Sequence, residues 1–253
     1  MKSGVLLLDL GNSYLKHAFY DEKQLRGPVQ SVPLDSLDVV SLLNGLAQEQ
    51  NIASIRLANV AGLQQQQRIS DWCQQHDVIL HVAEVQSPRG DLIVGYTQPR
   101  QLGIDRWLIL LALRQRSKNA LLAVSCGTAV TLDRLEADGL HSGGLIIPGL
   151  DLMLNALQKH TANICIDRNS VQDTIELGTD TGGCVISGAL HAITGMIEKQ
   201  YRRSIEQLAI TPEVFLTGGN ASLVARHLSL PARVVPDLVL QGLAVLQQMD
   251  FPQ

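Results

Sequence analysis

The stretch Val5 to Lys23, VLLLDLGNSYLKHAFYDEK, can be laid on Leu121 to Gly139, LLAVSCGTAVTLDRLEADG. Each copy opens with an apolar run of the kind that forms a strand buried on both faces. Each then turns at a glycine followed by a small polar residue, Gly11-Asn12 or Gly127-Thr128, and continues in a second strand. Further short strands and amphipathic helices follow both times. A repeat of about half the chain constrains the fold more than any other feature. It predicts an α/β protein made of two similarly built halves, residues 1–118 and 119–253, each of βββ-αβα type with a mixed sheet flanked by helices. Two such halves meet at a cleft, and ligands favour clefts of that kind.

The rest of the chain fits this frame. At 253 residues it buries roughly 70–75% of its unfolded surface and needs no staples. Apolar residues make up 45%, charged residues 17% and aromatics only 4%, so Leu, Ile, Val and Ala must fill the core. A net charge of −4 argues against nucleic-acid binding, which needs clustered Lys and Arg. The cysteines, Cys73, Cys126, Cys165 and Cys184, show no metal-binding spacing and read as reduced thiols of a cytoplasmic protein. No apolar run reaches the ~18–20 residues of a membrane helix, and no signal peptide precedes the first strand. Helices are predicted over SLDVVSLLNGLAQEQ, LQQQQRISDWCQQH and DRWLILLALRQRSK. A longer one carries Ile186, Leu190, Ile193, Ile197 and Tyr201 as a single stripe, for the core or for a subunit interface.

Three places hold groups able to do chemistry. In the first hairpin Asp9 ends an apolar strand, where an unpaired carboxylate is costly. Gly11 and Asn12 suit a tight two-residue turn with φ > 0. Ser13 adds a hydroxyl and Lys16 an ammonium. Together they suit a metal-bound polyphosphate, with Asp9 holding Mg²⁺ through water. The second hairpin, SCGTAVT, offers Thr128 for a phosphate from the opposite side. In LTGGN, Gly218 and Gly219 let a ring or a phosphate approach the backbone, or simply make a tight strand-to-helix turn. In QLGIDRW, Asp105-Arg106 reads either as helix-end electrostatics or as a general base beside an anion-binding guanidinium.

Taken together, DLGNSYLK, GYTQPRQLGIDRW, CGTAVTLD, SGGLIIPG and FLTGGN, in this order and spacing, resemble the type III pantothenate kinase family. The likeness spans nearly the whole chain. The hairpin alone is shared across the superfamily of acetate and sugar kinases, heat-shock ATPases and actin. The resemblance implies duplicated ribonuclease-H-like (actin-like ATPase) domains and a homodimer with its active site near the interface. It implies transfer of a phosphoryl group from ATP, with Mg²⁺, to the primary hydroxyl of pantothenate, the first step of coenzyme A synthesis. By motif, Asp9, Gly11, Asn12, Ser13 and Lys16 would bind phosphates and Mg²⁺, with Thr128, Gly218 and Gly219 adding nucleotide contacts. Tyr96, Gly103, Ile104, Asp105 and Arg106 would hold pantothenate, with Asp105 as general base. Thr181, eight residues after Asp173, would contact substrate from the partner subunit; a threonine there also suits a helix N-cap.

One departure stands out. Where the family has an aspartate that binds a monovalent cation, K⁺ or NH₄⁺, this chain has Ser125. A hydroxyl carries no charge, so the expectation is an enzyme that does not need potassium. A non-catalytic accessory relative, acting in regulation, is the alternative. Retention of Asp9, Lys16, Asp105 and Arg106 weighs against it. A third reading keeps the fold and changes the acceptor to another small hydroxy acid.

Overall fold

The computed structural model describes residues 4–21, 24–161 and 176–251, except for the side chain of Leu208. Two compact units emerge: Met1–Ser117 with Asp237–Gln253, and Lys118–Pro236. Cys165 and Asp173 lie outside the described residues.

The first unit runs β1 (Gly4–Leu10), β2 (Tyr14–Asp21), β3 (Gln24–Pro33), α1 (Val39–Glu49), β4 (Ile52–Asn59), α2 (Leu63–Gln75), β5 (Ile79–Val82), β6 (Ile93–Val94) and α3 (Ile104–Arg116). Its sheet has the order β3-β2-β1-β4-β5. The pairs β1–β2 and β2–β3 are antiparallel, while β1–β4 and β4–β5 are parallel. Leu6, Leu8 and Leu10 of β1 pack with Leu43 and Leu46 of α1 and with Ile69 and Trp72 of α2. Alternation sends Leu7 and Asp9 to the opposite face.

The second unit runs β7 (Leu121–Cys126), β8 (Ala129–Leu135), β9 (Leu140–Pro148), α4 (Leu150–His160), α5 (Thr181–Leu208), β10 (Glu213–Thr217), α6 (Ala221–Arg226) and β11 (Arg233–Val234). Its strands follow the order β9-β8-β7-β10-β11. Here too the pairs among the first three strands are antiparallel and those toward β11 parallel. The sequence repeat is therefore a repeat of sheet topology. The stripe of α5 is core: Ile186, Leu190, Ile193 and Ile197 are buried against Leu122, Val124 and Leu216, with Tyr201 packed on that cluster.

One boundary differs from the sequence reading. The final helix, α7 (Leu238–Asp250), was expected in the second half, and it belongs to the first unit. The cause is packing plus charge. A Cβ on Gly242 would lie 2.2 Å from the carbonyl oxygen of Leu108, so α7 crosses α3 at backbone distance. The Arg56 side chain, only 3% exposed, gives one hydrogen bond to Gln247 Oε1 (2.8 Å) and an ion pair to Asp250 Oδ2 (2.6 Å). Arg89 meets the other oxygen of Asp250. A buried guanidinium must be matched in this way, and removing a partner typically costs about 3–5 kcal/mol.

Candidate active site

In the first unit, the β1–β2 register sets Asp9 directly opposite Lys16, so both side chains leave the same face of the sheet. The hairpin closes beyond the Leu10–Leu15 pair, with Gly11 N–H donating to Tyr14 O at 3.0 Å. Four residues, Gly11 to Tyr14, thus separate the last paired positions, Leu10 and Leu15. Gly11 and Asn12 were expected at positive φ, and neither adopts it. Gly11 serves the turn by close approach: a Cβ there would lie 3.1 Å from Tyr14 O. Asn12 and Ser13 are exposed at the tip.

The Asp9 carboxyl is raised to about 7, chiefly by burial; Lys16 acts in the opposite direction, and the charges of Asp105 and Asp237 contribute to the rise. Two further carboxylates of the same unit therefore act on Asp9. An ionised Asp9 in such a place calls for positive charge. Among the described residues, no three of His, Cys, Asp and Glu cluster to form a metal cage. That donor set fits Mg²⁺, which keeps its waters and is held by one or two carboxylates together with substrate phosphates.

Asp105 enters from α3. Gly103 is the N-cap, and a Cβ there would sit 2.6 Å from Asp105 Oδ1, so the carboxylate folds back over the bare backbone. It lies in the first helical turn, where the helix dipole favours an anion. Arg106 is buried; its Nη1 donates to the Tyr96 hydroxyl at 3.1 Å and its guanidinium stands 6.0 Å from the ring centre. Tyr96, Gly103, Ile104, Asp105 and Arg106 are thereby gathered at one end of α3.

In the second unit, Thr128 is exposed at the tip of the second turn, where Gly127 N–H donates to Ala129 O at 3.1 Å. Three elements converge on this turn. Gly149, capping α4, donates to Thr128 O at 2.9 Å, and a Cβ there would lie 2.1 Å from Gly127 O. Gly218, at φ +95°, would place a Cβ 2.6 Å from Cys126 O. Asn220 N–H donates to that same oxygen at 3.1 Å. The second turn, the Gly218-Gly219 turn and the start of α4 are thus one assembly. Burial pushes the Cys126 thiol up to about 12, which leaves it inert. Ser125 pairs across the strands with Thr131 and Thr217. Thr181 is exposed in the first turn of α5. The N-cap there is Asp180, whose side chain accepts from Gly183 N–H at 2.8 Å, so capping does not account for the threonine. Thr181 edges an apolar groove of about 590 Å³ between α4 and α5, lined by Leu152, Leu157, Val185 and Ala189.

One residue escaped the sequence reading. Asp237, in left-handed backbone (φ 56°), pairs with Lys16 Nζ at 3.0 Å. In the sequence it reads as an ordinary Pro-Asp helix start; only the fold brings it to the first hairpin.

Two mixed sheets of matching topology, each built round a central hairpin, with a carboxylate and a lysine at one turn and glycines at the other, define the α/β fold of the actin-like ATPases and their kinase relatives. Solved structures agree on the fold. A 2-dehydro-3-deoxygalactonokinase protein of Sinorhizobium meliloti superposes with a TM-score of 0.61 at 14% identity, covering 98% of this chain and 97% of that one. A Baf family transcriptional activator of Campylobacter jejuni gives 0.63 at 17% identity, covering 97% and 100%. Sequence comparison narrows the class. The type III pantothenate kinase profile matches residues 5–203. The type III pantothenate kinase of Teredinibacter turnerae is 32% identical over 97% of this chain and 99% of its own length, and that of Nitrosomonas eutropha 33% over 97% and 95%. The chain belongs to the type III pantothenate kinase family. No helix among the described residues is long and apolar enough to cross a membrane.

Proposed function

We propose that this chain transfers the γ-phosphoryl group of ATP to the primary hydroxyl of pantothenate, giving 4′-phosphopantothenate, the first committed product on the way to coenzyme A. The observation that carries the reading is the grouping of Asp9, Lys16 and Asp105 in one unit, with the Asp105 charge acting on Asp9. Phosphoryl transfer needs alignment and charge neutralisation more than covalent chemistry. Lys16 and the exposed turn of Asn12 and Ser13 meet the nucleotide phosphates; Thr128 and the Gly218-Gly219 turn of the second unit add to that binding. When bound beside Asp9, Mg²⁺ supplies the positive charge that offsets the phosphates. Asp105 orients the acceptor hydroxyl and takes its proton as the new O–P bond forms. Arg106, already fixed by Tyr96, meets the acceptor's carboxylate.

The active assembly in this reading is a homodimer, with Thr181 reaching the acceptor site of a second copy. Its exposed position beside the apolar α4–α5 groove supports this. Ser125 supplies no charge for a monovalent cation, and the reaction proceeds without potassium. A coupled ADP-release assay tests the whole. Release that depends on pantothenate is expected. ADP release indifferent to pantothenate, or none at all, would overturn the reading and favour another acceptor or an accessory role.

A further inference from the structure

The ion pair of Lys16 has a partner that the hairpin alone does not predict. Asp9 and Lys16 face one another across β1 and β2, and side chains at such positions start only about 4.5–5.5 Å apart at Cβ. Opposite charges there pair by default. Among the described residues, however, the ion pair of Lys16 is with Asp237, at 3.0 Å, and not with Asp9. The two side chains are 30% and 23% exposed, so the pair is partly shielded from water.

Asp237 is also in an unusual position. It directly precedes α7, where an aspartate normally caps the helix. Its side chain makes no capping bond. Its backbone is left-handed, φ 56° and ψ 34°, a conformation disfavoured for residues with a Cβ, although Asp and Asn tolerate it best. The helix behind it is firmly held, by the close crossing of Gly242 on α3 and by Arg56 on Asp250. A carboxylate that gives up its cap, on a strained residue at the end of an anchored helix, is a fixed anion placed for Lys16.

We propose that Asp237 is a positioning residue for the phosphoryl transfer described above, on which this inference rests: its carboxylate holds the Lys16 ammonium off Asp9. Asp9 then stays available to the divalent cation that accompanies the nucleotide, and the ammonium is presented to the phosphates. Without Asp237, the anion that faces Lys16 across the strands is Asp9, and the pair that forms competes with the cation.

The test is Asp237→Asn, which keeps the shape and the left-handed backbone and removes the charge. ADP binding is measured by calorimetry with and without Mg²⁺, which needs no acceptor, and the kinase assay is titrated with Mg²⁺. The gain in ADP affinity from Mg²⁺ is expected to shrink about 5- to 10-fold, and half-saturating Mg²⁺ to rise to match, as coupling between neighbouring charges predicts. The KM for pantothenate and the Tm are expected to stay as in the unaltered protein. Added to Lys16→Met, Asp237→Asn is expected to cause a much smaller change, because no ammonium remains to be held and only the direct charge of Asp237 on Asp9 is removed. An unchanged Mg²⁺ response, or a response of full size in the Lys16→Met background, would overturn the proposal. So would a lowered Tm with equal losses for ATP, Mg²⁺ and pantothenate. If Asp237→Asn does not yield folded protein, Asp237→Ser is read in the same way. Should the unaltered enzyme fail to use pantothenate, the kinase reading falls, while the ADP and Mg²⁺ titration still judges Asp237.

Discussion

The two hairpins share a strand arrangement and differ in chemistry. One residue before the last strand pair, the first unit aligns Lys16, Asp9 and Ala58 across β2, β1 and β4. The second aligns Thr131, Ser125 and Thr217 across β8, β7 and β10. A cation and an anion in one unit stand where the other has three hydroxyls. The turns are supported differently as well. The first is closed by its own backbone and steadied by charge, with Asp237 on Lys16. The second is enclosed by glycine backbone, with Gly149 against Gly127 and Gly218 against Cys126. Duplication has kept the scaffold, and the side chains have divided the labour between a charged half and a neutral one.

The largest effect expected from probing this contrast is on the charged half. Asp105→Asn should lower kcat by ~10²–10⁴ with an unchanged Tm, in steady-state assays and a thermal melt; near-normal turnover would remove Asp105 from the chemistry. Next comes the backbone support of the neutral half. Gly149→Ala puts a methyl 2.1 Å from a backbone oxygen, whereas Gly11→Ala meets one at 3.1 Å. Urea denaturation should show a loss of about 1–3 kcal/mol or more for the first and distinctly less for the second. Equal losses would erase the difference between the turns.

A third change attempts to undo the division. Ser125→Asp puts an acid at the position that matches Asp9. Turnover of the unaltered enzyme is expected to be equal in sodium and potassium buffers, and that of the variant to depend on potassium. A strong potassium requirement without the substitution would show that other oxygens already build that site. The smallest effect concerns His17, which pairs with Leu8 as Leu132 pairs with Val124. Burial holds the His17 imidazole below its ordinary 6.5, with Glu49 opposing. The unfolded chain then binds the extra proton, so this part of the stability is present above pH 6.5 and is lost as pH falls from there through the lower folded value. His17→Leu should flatten the fall in Tm between neutral and mildly acidic buffers.

Much of this was legible in the sequence because it depends on local periodicity. Apolar runs ending at Leu10 and Cys126 marked the central strands, and the four- and three-residue steps from Ile186 to Tyr201 marked the buried stripe of α5. Asp105 beside Gly103 was legible as a motif. The turn geometry was less so: the first loop is one residue longer between its last strand pairs, Leu10–Leu15 against Cys126–Val130, and no composition rule distinguishes them. Thr181, expected to contact substrate, also suited a cap because capping residues are interchangeable in type, and Asp180 takes that role. Least legible was α7. An apolar face says that a helix must be covered and does not say by what. Its placement depends on Gly242 meeting Leu108 and on Arg56 meeting Asp250, contacts between residues far apart in the chain.

That last placement has a consequence for biosynthesis. Because α7 follows β11 in the chain, every strand of the inserted unit leaves the ribosome before the helix that completes the unit it interrupts. Until then the Arg56 guanidinium lacks Gln247 and Asp250, and closing the gap requires contacts of very long sequence separation. The half that carries the charged hairpin is therefore the last to be completed, and Lys16 meets Asp237 only once the whole of the second unit, Lys118–Pro236, has been synthesised.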